Sequence, residues 1–541
     1  MVFAAVGLAA VGLAAVCGEG MCGAGFAQTA AAAGRSSPLR VQIARLVAQP
    51  AVARAHWGVA VTSLDGRPIY GLNEGQLFQP ASNAKLFTTA AAMALLGPET
   101  TFDTRVVLRR GSVVIVGGGD ANLSGRALPY VSLRDRPKPP TDEPPAEPLR
   151  YLEEMADKIA ARGLKVISGD IVGDDTLFPW EPYPSGWSID DMVWGYGAPV
   201  SALSINDNQI RLTMAPGRWT GGEMSPAVSF VPGVPYYTLD VHLAGAPAKT
   251  AVTPQIEREP GSKVLHIYGS MAADAQPDVE QVAIEDPAEY AAVAFKAMLQ
   301  ARGIEVRGVA KPEHAELGYS NSLPSGVEVL WEDVLRSRNS SACPKSSETA
   351  EETLATHRGP TLRDDVMLTN KVSENLHAEL LLHHLGKLVF CQIASTTAGL
   401  AVERAFLAHA GIDMDDFVFF DGSGLSGHDL VTPRATAKLL QFAARDPKTG
   451  AAQPWFADWK ASLPVGGEDG TLASRFAKAP LKDNVFAKTG TLGEARALSG
   501  YLQCASGRTV VFSIMVGDHP PGSDADRDVM DKIVAAIWAA E

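Results

Sequence analysis

Ser82 and Lys85 stand three positions apart in Pro80-Ala81-Ser82-Asn83-Ala84-Lys85, the only place in the chain where a serine is followed by lysine at that distance. A serine hydroxyl is a poor nucleophile until a base takes its proton, and a lysine kept from water by neighbours such as Leu86, Phe87 and Ala90 can be neutral enough to take it. The apolar, Ala-rich run that follows stops at Gly97-Pro98, so the spacing predicts a helix that opens at Ser82 and carries Lys85 one turn along on the same face. Standing alone, this tetrapeptide would read more simply as an N-capping serine beside an exposed lysine.

Two further patterns argue for chemistry. Ser-x-Asn occurs at Ser204-Ile205-Asn206, Ser337-Arg338-Asn339 and Ser373-Glu374-Asn375. Only the last lies between two helical patterns, 362–370 and 376–385, where a tight loop would turn both side chains into a cleft; Ser373 also suits the cap of the second helix. Lys-Thr-Gly occurs at Lys448 and Lys488. The first follows Arg445-Asp446-Pro447 in a polar stretch where Gly450 reads as turn punctuation. The second continues the strand-like Asn484-Val485-Phe486-Ala487 as Lys488-Thr489-Gly490-Thr491. There Gly490 would let a ligand's backbone approach the strand, as a peptide added to a sheet edge does.

The order Ser-x-x-Lys, Ser-x-Asn, Lys-Thr-Gly is similar to that of the penicillin-binding protein and serine β-lactamase superfamily. The first interval is much longer than the second, and in this the chain resembles the class C low-molecular-mass penicillin-binding proteins. These are D-alanyl-D-alanine carboxypeptidases and endopeptidases with extra domains inside the transpeptidase fold. Supporting stretches are Gly117-Gly118-Gly119-Asp120, Gly173-Asp174-Asp175-Thr176-Leu177-Phe178, Tyr196-Gly197-Ala198-Pro199-Val200-Ser201-Ala202-Leu203, Asp421-Gly422-Ser423-Gly424-Leu425-Ser426 and Leu498-Ser499-Gly500-Tyr501. After the Asp421 stretch relatives often carry arginine, whereas this chain has Gly427-His428.

The resemblance implies an α/β (α+β) fold with an antiparallel sheet flanked by helices, and a serine DD-peptidase acting on peptidoglycan stem peptides, with β-lactam antibiotics as covalent inhibitors. It implies Ser82 as the acylated nucleophile, Lys85 as its base, and Ser373 as proton shuttle to the leaving amine, supported by Lys488. Asn375 would orient Lys85 and the substrate amide. Thr489 and Thr491, on either side of Gly490, would bind the carboxylate, and the N–H groups of Ser82 and Thr491 would form the oxyanion hole. Asp175 is expected to contact a substrate amino group, with a loop-capping carboxylate as its plainer role. No cofactor is implied, and a homodimer is left open. The alternatives are a serine β-lactamase or esterase, sharing the acylation step, and a non-catalytic wall-binding protein. Gly-x-Ser-x-Gly is absent, against the unrelated hydrolase route.

The elements that must position these residues follow from periodicity. A helix is expected over 38–48, two strands over 56–72 around Leu64-Asp65-Gly66-Arg67, a hairpin over 496–516 around Ala505-Ser506-Gly507, and an amphipathic helix over 524–540. The two ends mirror each other, so one antiparallel sheet covered by terminal helices is expected. Residues 34–101 and 339–541 would form this catalytic unit. Residues 102–338, with short β-like runs at Val113-Val114-Ile115-Val116 and Val264-Leu265-His266-Ile267, would be a mainly β insertion of two subdomains. Its helices, 149–162 and 287–302, are each followed by a glycine and a β-like run, which hints at repeated α-β units. The Pro-rich 136–148 reads as an exposed loop.

Val2 to Val16 is apolar and small-residue-rich, and Gly25-Phe26-Ala27 offers a cleavage site, so 1–33 reads as an export signal, although the first basic residue is only Arg35. The expected location is the periplasm or extracytoplasmic face, with membrane association left open. The chain of 541 residues carries 61 acidic against 47 Lys and Arg side chains, a net charge of -14, which argues against a broad nucleic-acid-binding face. Cys343, Cys391 and Cys504 have no zinc-like spacing. His377, Glu379, His383 and His384 lack the His-Glu-x-x-His order and read as the rim of an amphipathic helix, not a metal site. Gly422 to Gly427 matches G-x-G-x-x-G without the strand-helix-strand unit that dinucleotide binding needs, and reads as a loop.

Overall fold

The computed structural model describes residues 38–541 apart from 133, 137–146, 218, 221–222, 319–322, 324–326, 341–350, 392 and 448. The export segment, most of the Pro-rich loop and Lys448 therefore lie outside the described residues. One antiparallel five-stranded sheet runs in the order Pro68–Leu72, His56–Ser63, Thr509–Gly517, Arg496–Gln503, Val485–Thr491. The Lys488 strand is its edge, with Lys488 paired opposite Ser499. Alternation along Thr509–Gly517 buries Val510, Phe512, Ile514 and Val516 on one face and Val511 and Met515 on the other, the period of a strand covered on both sides. The first face receives the terminal helices Pro38–Val47 and Ala525–Ala540 through Leu39, Ile43, Val529, Ile533 and Ile537, as the mirrored ends predict. The second face receives the helices Leu362–Val372, Asn375–Phe390, Thr396–His409 and Pro433–Ala444, packed around Ala84–Leu95. That helix is buried nearly all round, which is why Lys85 is its only charged residue.

The long insertion forms a second five-stranded sheet, ordered Ala310–Ala315, Ile171–Pro179, Ser112–Val116, Thr101–Arg109, Glu352–Thr361, together with two three-stranded sheets. The hint of repetition has a structural counterpart. The helices Arg150–Ala161 and Pro287–Ala301 end at Gly163 and Gly303, at φ +80° and +78°, the left-handed turn that glycine allows at a helix C-terminus. The strands that follow pair with each other in parallel, Val166 with Glu305 and Ile171 with Ala310.

The main apolar core of the insertion runs from Val106 and Ile115 through Phe295 to Ile210 and Ile267, and Val107, Val114 and Val172 form a smaller cluster on the other face of the five-stranded sheet. The boundary between 338 and 339 shifts. The helix Trp331–Ser340 packs on the catalytic helices, with Val334 in their core. The strand Glu352–Thr361, assigned to the catalytic unit, pairs with Thr101–Arg109 and buries Leu354 and Ala355 in the insertion. Which sheet a strand joins is a non-local choice that its own residues do not encode.

Candidate active site

Ser82 sits in a short 3-10 turn, Ala81–Asn83, that leads directly into the helix Ala84–Leu95. Lys85 Nζ donates to Ser82 Oγ at 3.0 Å, to Asn375 Oδ1 at 2.6 Å and to the Ser423 carbonyl at 2.7 Å. Lys85 is fully buried. Burial pushes its pKa down to about 8, against the opposing pull of Asp421, Glu379, Glu374 and Asp429. The simpler reading, a capping serine beside a solvated lysine, is thereby replaced.

Ser373 joins the helices Leu362–Val372 and Asn375–Phe390 and adopts a left-handed φ of 67°. It does not cap the second helix, since Glu374 occupies that place. Its hydroxyl instead accepts from Lys488 Nζ at 2.7 Å. Lys488 is buried, also donates to the Thr489 carbonyl at 2.9 Å, and is held well below the usual lysine range first by burial and then by the charge of Lys85. Asn375 Nδ2 donates to the carbonyl of Tyr196 at 2.8 Å, and Thr489 Oγ1 to Thr471 Oγ1 at 2.8 Å. Ser82, Ser373, Asn375 and the exposed Thr491 line one cleft of about 530 Å³. A second groove, of about 720 Å³, continues past Ser373 and Asn375 along the insertion's Arg126, Trp194, Tyr196 and Arg211. Three sequence-distant motifs thus share one cavity that holds a hydroxyl beside a partly neutral amine, a second hydroxyl-amine pair, and an edge strand. This is equipment for acyl transfer through a serine ester.

A Cβ at Gly490 would lie 2.5 Å from the Pro80 carbonyl and 3.2 Å from the Asn83 amide nitrogen, so the glycine lets the turn that carries Ser82 press against the strand. Asn83 Nδ2 ties that turn to the sheet through Ser499 Oγ at 2.7 Å, and Ser499 donates to Ser513 Oγ at 2.9 Å. Asp175 is not brought to the cleft. Its buried carboxylate accepts from Ser201 Oγ and pairs with His314 Nδ1, each at 2.9 Å, inside the insertion. Burial opposes its charge.

His377, Glu379, His383 and His384 are all buried and not the rim of an amphipathic helix, because neighbouring helices and the insertion, through Gly119, Phe178 and Asp207, cover their own helix. His377 lies between Asp365, at 2.6 Å, and Asp207, at 3.4 Å. Both Glu379 oxygens accept from the Gly422 amide at 3.1 Å. His383 Nδ1 meets the Ala394 carbonyl, and His384 stacks on Phe102. The loop reading of Gly422–Gly427 stands, and the loop contributes the Ser423 carbonyl that touches Lys85. Sequence reasoning missed that carbonyl, the Tyr196 carbonyl, and Trp187, whose Nε1 donates to Asp421. Backbone acceptors carry no residue-type signal, and a lone tryptophan reads as core.

The fold and the three converging motifs define a serine acyl-transferring hydrolase built like a penicillin-binding protein. Residues 39–319 and 339–539 match the D-Ala-D-Ala carboxypeptidase 3 (S13) family, and the chain belongs to that family of serine peptidases. It is 31% identical over 507 residues to a D-alanyl-D-alanine carboxypeptidase of Actinomadura sp. (strain R39), covering 90% of this chain and 82% of that one. It is 24% identical over 449 residues to the D-alanyl-D-alanine carboxypeptidase DacB of Haemophilus influenzae, covering 82% and 81%. The crystal structure of penicillin binding protein 4 (dacB) from Haemophilus influenzae shares the fold, with a TM-score of 0.71 at 20% identity over 92% of this chain and 98% of that one.

Proposed function

We propose that this enzyme cleaves the terminal D-Ala-D-Ala bond of peptidoglycan stem peptides through an acyl-enzyme on Ser82. The observation that carries the reading is the buried Lys85 amine 3.0 Å from the Ser82 hydroxyl. Lys85 takes the hydroxyl proton as Oγ bonds to the carbonyl carbon of the penultimate D-alanine. The N–H groups of Ser82 and Thr491 receive the oxyanion, an interaction worth about 3 kcal/mol per donor in comparable sites. Ser373, poised by Lys488, passes its proton to the leaving amine as the C–N bond breaks and is restored by the proton that Lys85 took, and Thr489 and Thr491 hold the leaving carboxylate. Water then clears the ester by the reverse proton route. β-Lactams would stop at that ester and so inhibit covalently. The groove beyond Ser373 gives a larger leaving group room, which supports crosslink endopeptidase activity as a second outcome.

Cys391 is disulfide-bonded, which supports an oxidising, extracytoplasmic location. No helix among the described residues is long and apolar enough to cross a membrane.

The test is incubation with a fluorescent penicillin and location of the adduct by mass spectrometry. Wild-type protein is expected to carry the label on Ser82, and Ser82→Ala to carry none. Label persisting in Ser82→Ala would overturn the assignment.

A further inference from the structure

A neutral amine has two N–H bonds and one lone pair, and as a base it must turn the lone pair, not a hydrogen, toward the serine. Around Lys85 Nζ, two of the three neighbours are carbonyl oxygens, Asn375 Oδ1 at 2.6 Å and Ser423 O at 2.7 Å. Neither can donate. They take the two hydrogens and leave the lone pair for the one neighbour that has a proton to give, Ser82 Oγ at 3.0 Å. Losing either carbonyl would free a hydrogen to point at Ser82 and aim the base wrongly.

Both carbonyls are held from the insertion. The Asn375 amide is fixed against flipping by its Nδ2 bond to the Tyr196 carbonyl. The Ser423 carbonyl belongs to a turn wrapped around Asp421. That carboxylate accepts the Gly424 amide at 2.7 Å, the Ser426 amide at 2.8 Å and Ser423 Oγ at 3.0 Å. The carboxylate also faces the buried Asp429 carboxyl, and from the insertion it is met by the buried indole of Trp187, with Nε1 2.8 Å from Oδ2. The neighbouring segment docks on the same turn through Ser426 Oγ to the Ser185 carbonyl, at 2.8 Å, and the Gly427 amide to the Gly186 carbonyl, at 3.1 Å. Gly186 permits that approach, since a Cβ there would lie 2.4 Å from Ser426 Oγ.

We propose that Trp187 is a positioning residue for the catalytic lysine: through Asp421 it holds the Ser423 carbonyl on one amine hydrogen and thereby keeps the lone pair of Lys85 on Ser82. The inserted region is then part of the acylation machinery as well as a wall of the cleft. This rests on the reading of Lys85 as the base of Ser82. The charged groups facing Lys85 are Asp421, Glu379, Glu374 and Asp429, with Lys488 across the cleft. Trp187 touches only the first of them through a hydrogen bond.

Trp187→Phe keeps an aromatic ring in the slot and removes the N–H. The rate constant of acylation by a penicillin, per site counted by end-point labelling, is measured against penicillin concentration and against pH. We expect the saturating rate to fall roughly tenfold, the scale of one lost positioning hydrogen bond, while the half-saturating concentration stays at the wild-type value. The midpoint of the acid limb should move down, because a carbonyl acceptor favours the ammonium over the amine. A purely structural role would reduce the number of labelled sites without moving the midpoint. Wild-type rate and midpoint per labelled site in Trp187→Phe would overturn the proposal. Should too few sites survive, Ser426→Ala, which cuts the link to Ser185 and the bond from the His428 amide but leaves Trp187 in place, is read the same way. A smaller change in the same direction supports the proposal, and wild-type values overturn it. An unlabelled wild-type protein would instead overturn the reading of Ser82 and Lys85 beneath it.

Discussion

Lys85 is a lysine with no water to solvate its charge and four carboxylates close enough to favour that charge. Burial wins, and the amine titrates near pH 8. The sign of the pH dependence follows: below that value Lys85 is an ammonium and cannot accept the Ser82 proton, so the acylation rate falls as pH drops through about 8 and levels off above it. At pH 7 only about a tenth of the amine would be neutral. Acylation rates per labelled site across pH check this, and a rate that stays flat as pH falls through this range would remove Lys85 as the base. Lys488 is held well below the usual lysine range first by burial and then by Lys85, and its amine donates to Ser373 Oγ at 2.7 Å. At this scale the sequence was largely legible. A Ser-x-x-Lys ahead of an apolar helix, a Ser-x-Asn between helices and a Lys-Thr-Gly inside a strand could each be placed from residue type and context, and the structure brings the three together. Asp175 misled because a carboxylate looks the same in a sequence whether it faces a ligand or, as here, Ser201 and His314.

The elements meet where the Ser82 turn lies on the edge strand. Ala81, just before Ser82, is buried with a φ of 46°, a left-handed conformation that costs a non-glycine residue about 1 kcal/mol or more. Gly490 lets the strand press against this turn, and Gly424, at φ +81°, lets the Ser423 loop do so from the other side, where a Cβ would lie 1.9 Å from the Ala81 carbonyl. Gly490→Ala should therefore push the turn off the strand while leaving the two core layers intact. Displacement of a nucleophile by about 1 Å costs roughly a hundredfold in rate. Acylation of Gly490→Ala by a fluorescent penicillin is expected to slow on that scale with little change in thermal midpoint, and an unslowed variant would show that the turn does not depend on this contact. Strands, helices and their order could be read from periodicity, because burial repeats every two or every 3.6 residues. The close approach at Gly490 could not, since a sequence shows that a glycine is present but not which backbone comes near it.

Across the whole molecule, the insertion and the catalytic unit are joined by buried charge. His377 sits between Asp365 of the catalytic helices and Asp207 of the insertion, Asp207 pairs with Arg126 at 2.5 Å, and Arg126 reaches on to Glu374 beside the catalytic loop. Burial opposes charge on His377, but the two carboxylates outweigh it and raise its pKa to about 10. A histidine raised in the folded state contributes stability that is complete below its ordinary value of about 6.5 and lost as pH rises through about 10. His377→Gln leaves the buried Asp365 carboxylate without its cation and Asp207 with Arg126 alone, and should cost about 3–5 kcal/mol. Urea unfolding near neutral pH reads that difference, and repeating it above pH 10 should show wild type and variant converging. Equal midpoints at neutral pH would dismiss the network as a source of stability. The spacing of His377, Glu379, His383 and His384 suggested a solvated rim because a helical wheel reports periodicity, not what covers each face.

Residue types and local periodicity pointed to the candidate groups and to the helices and strands that carry them, and the order of the three motifs, through its resemblance to a known family, pointed to the kind of enzyme. The groups and elements are written in residue type and in near-neighbour spacing. Only the tertiary structure decided which sheet the strand Glu352–Thr361 joins, where Asp175 is buried, and which carbonyls hold the amine of Lys85. Each is a contact between segments far apart in the chain, and any exposed backbone or buried pocket of suitable shape would satisfy the local sequence equally well.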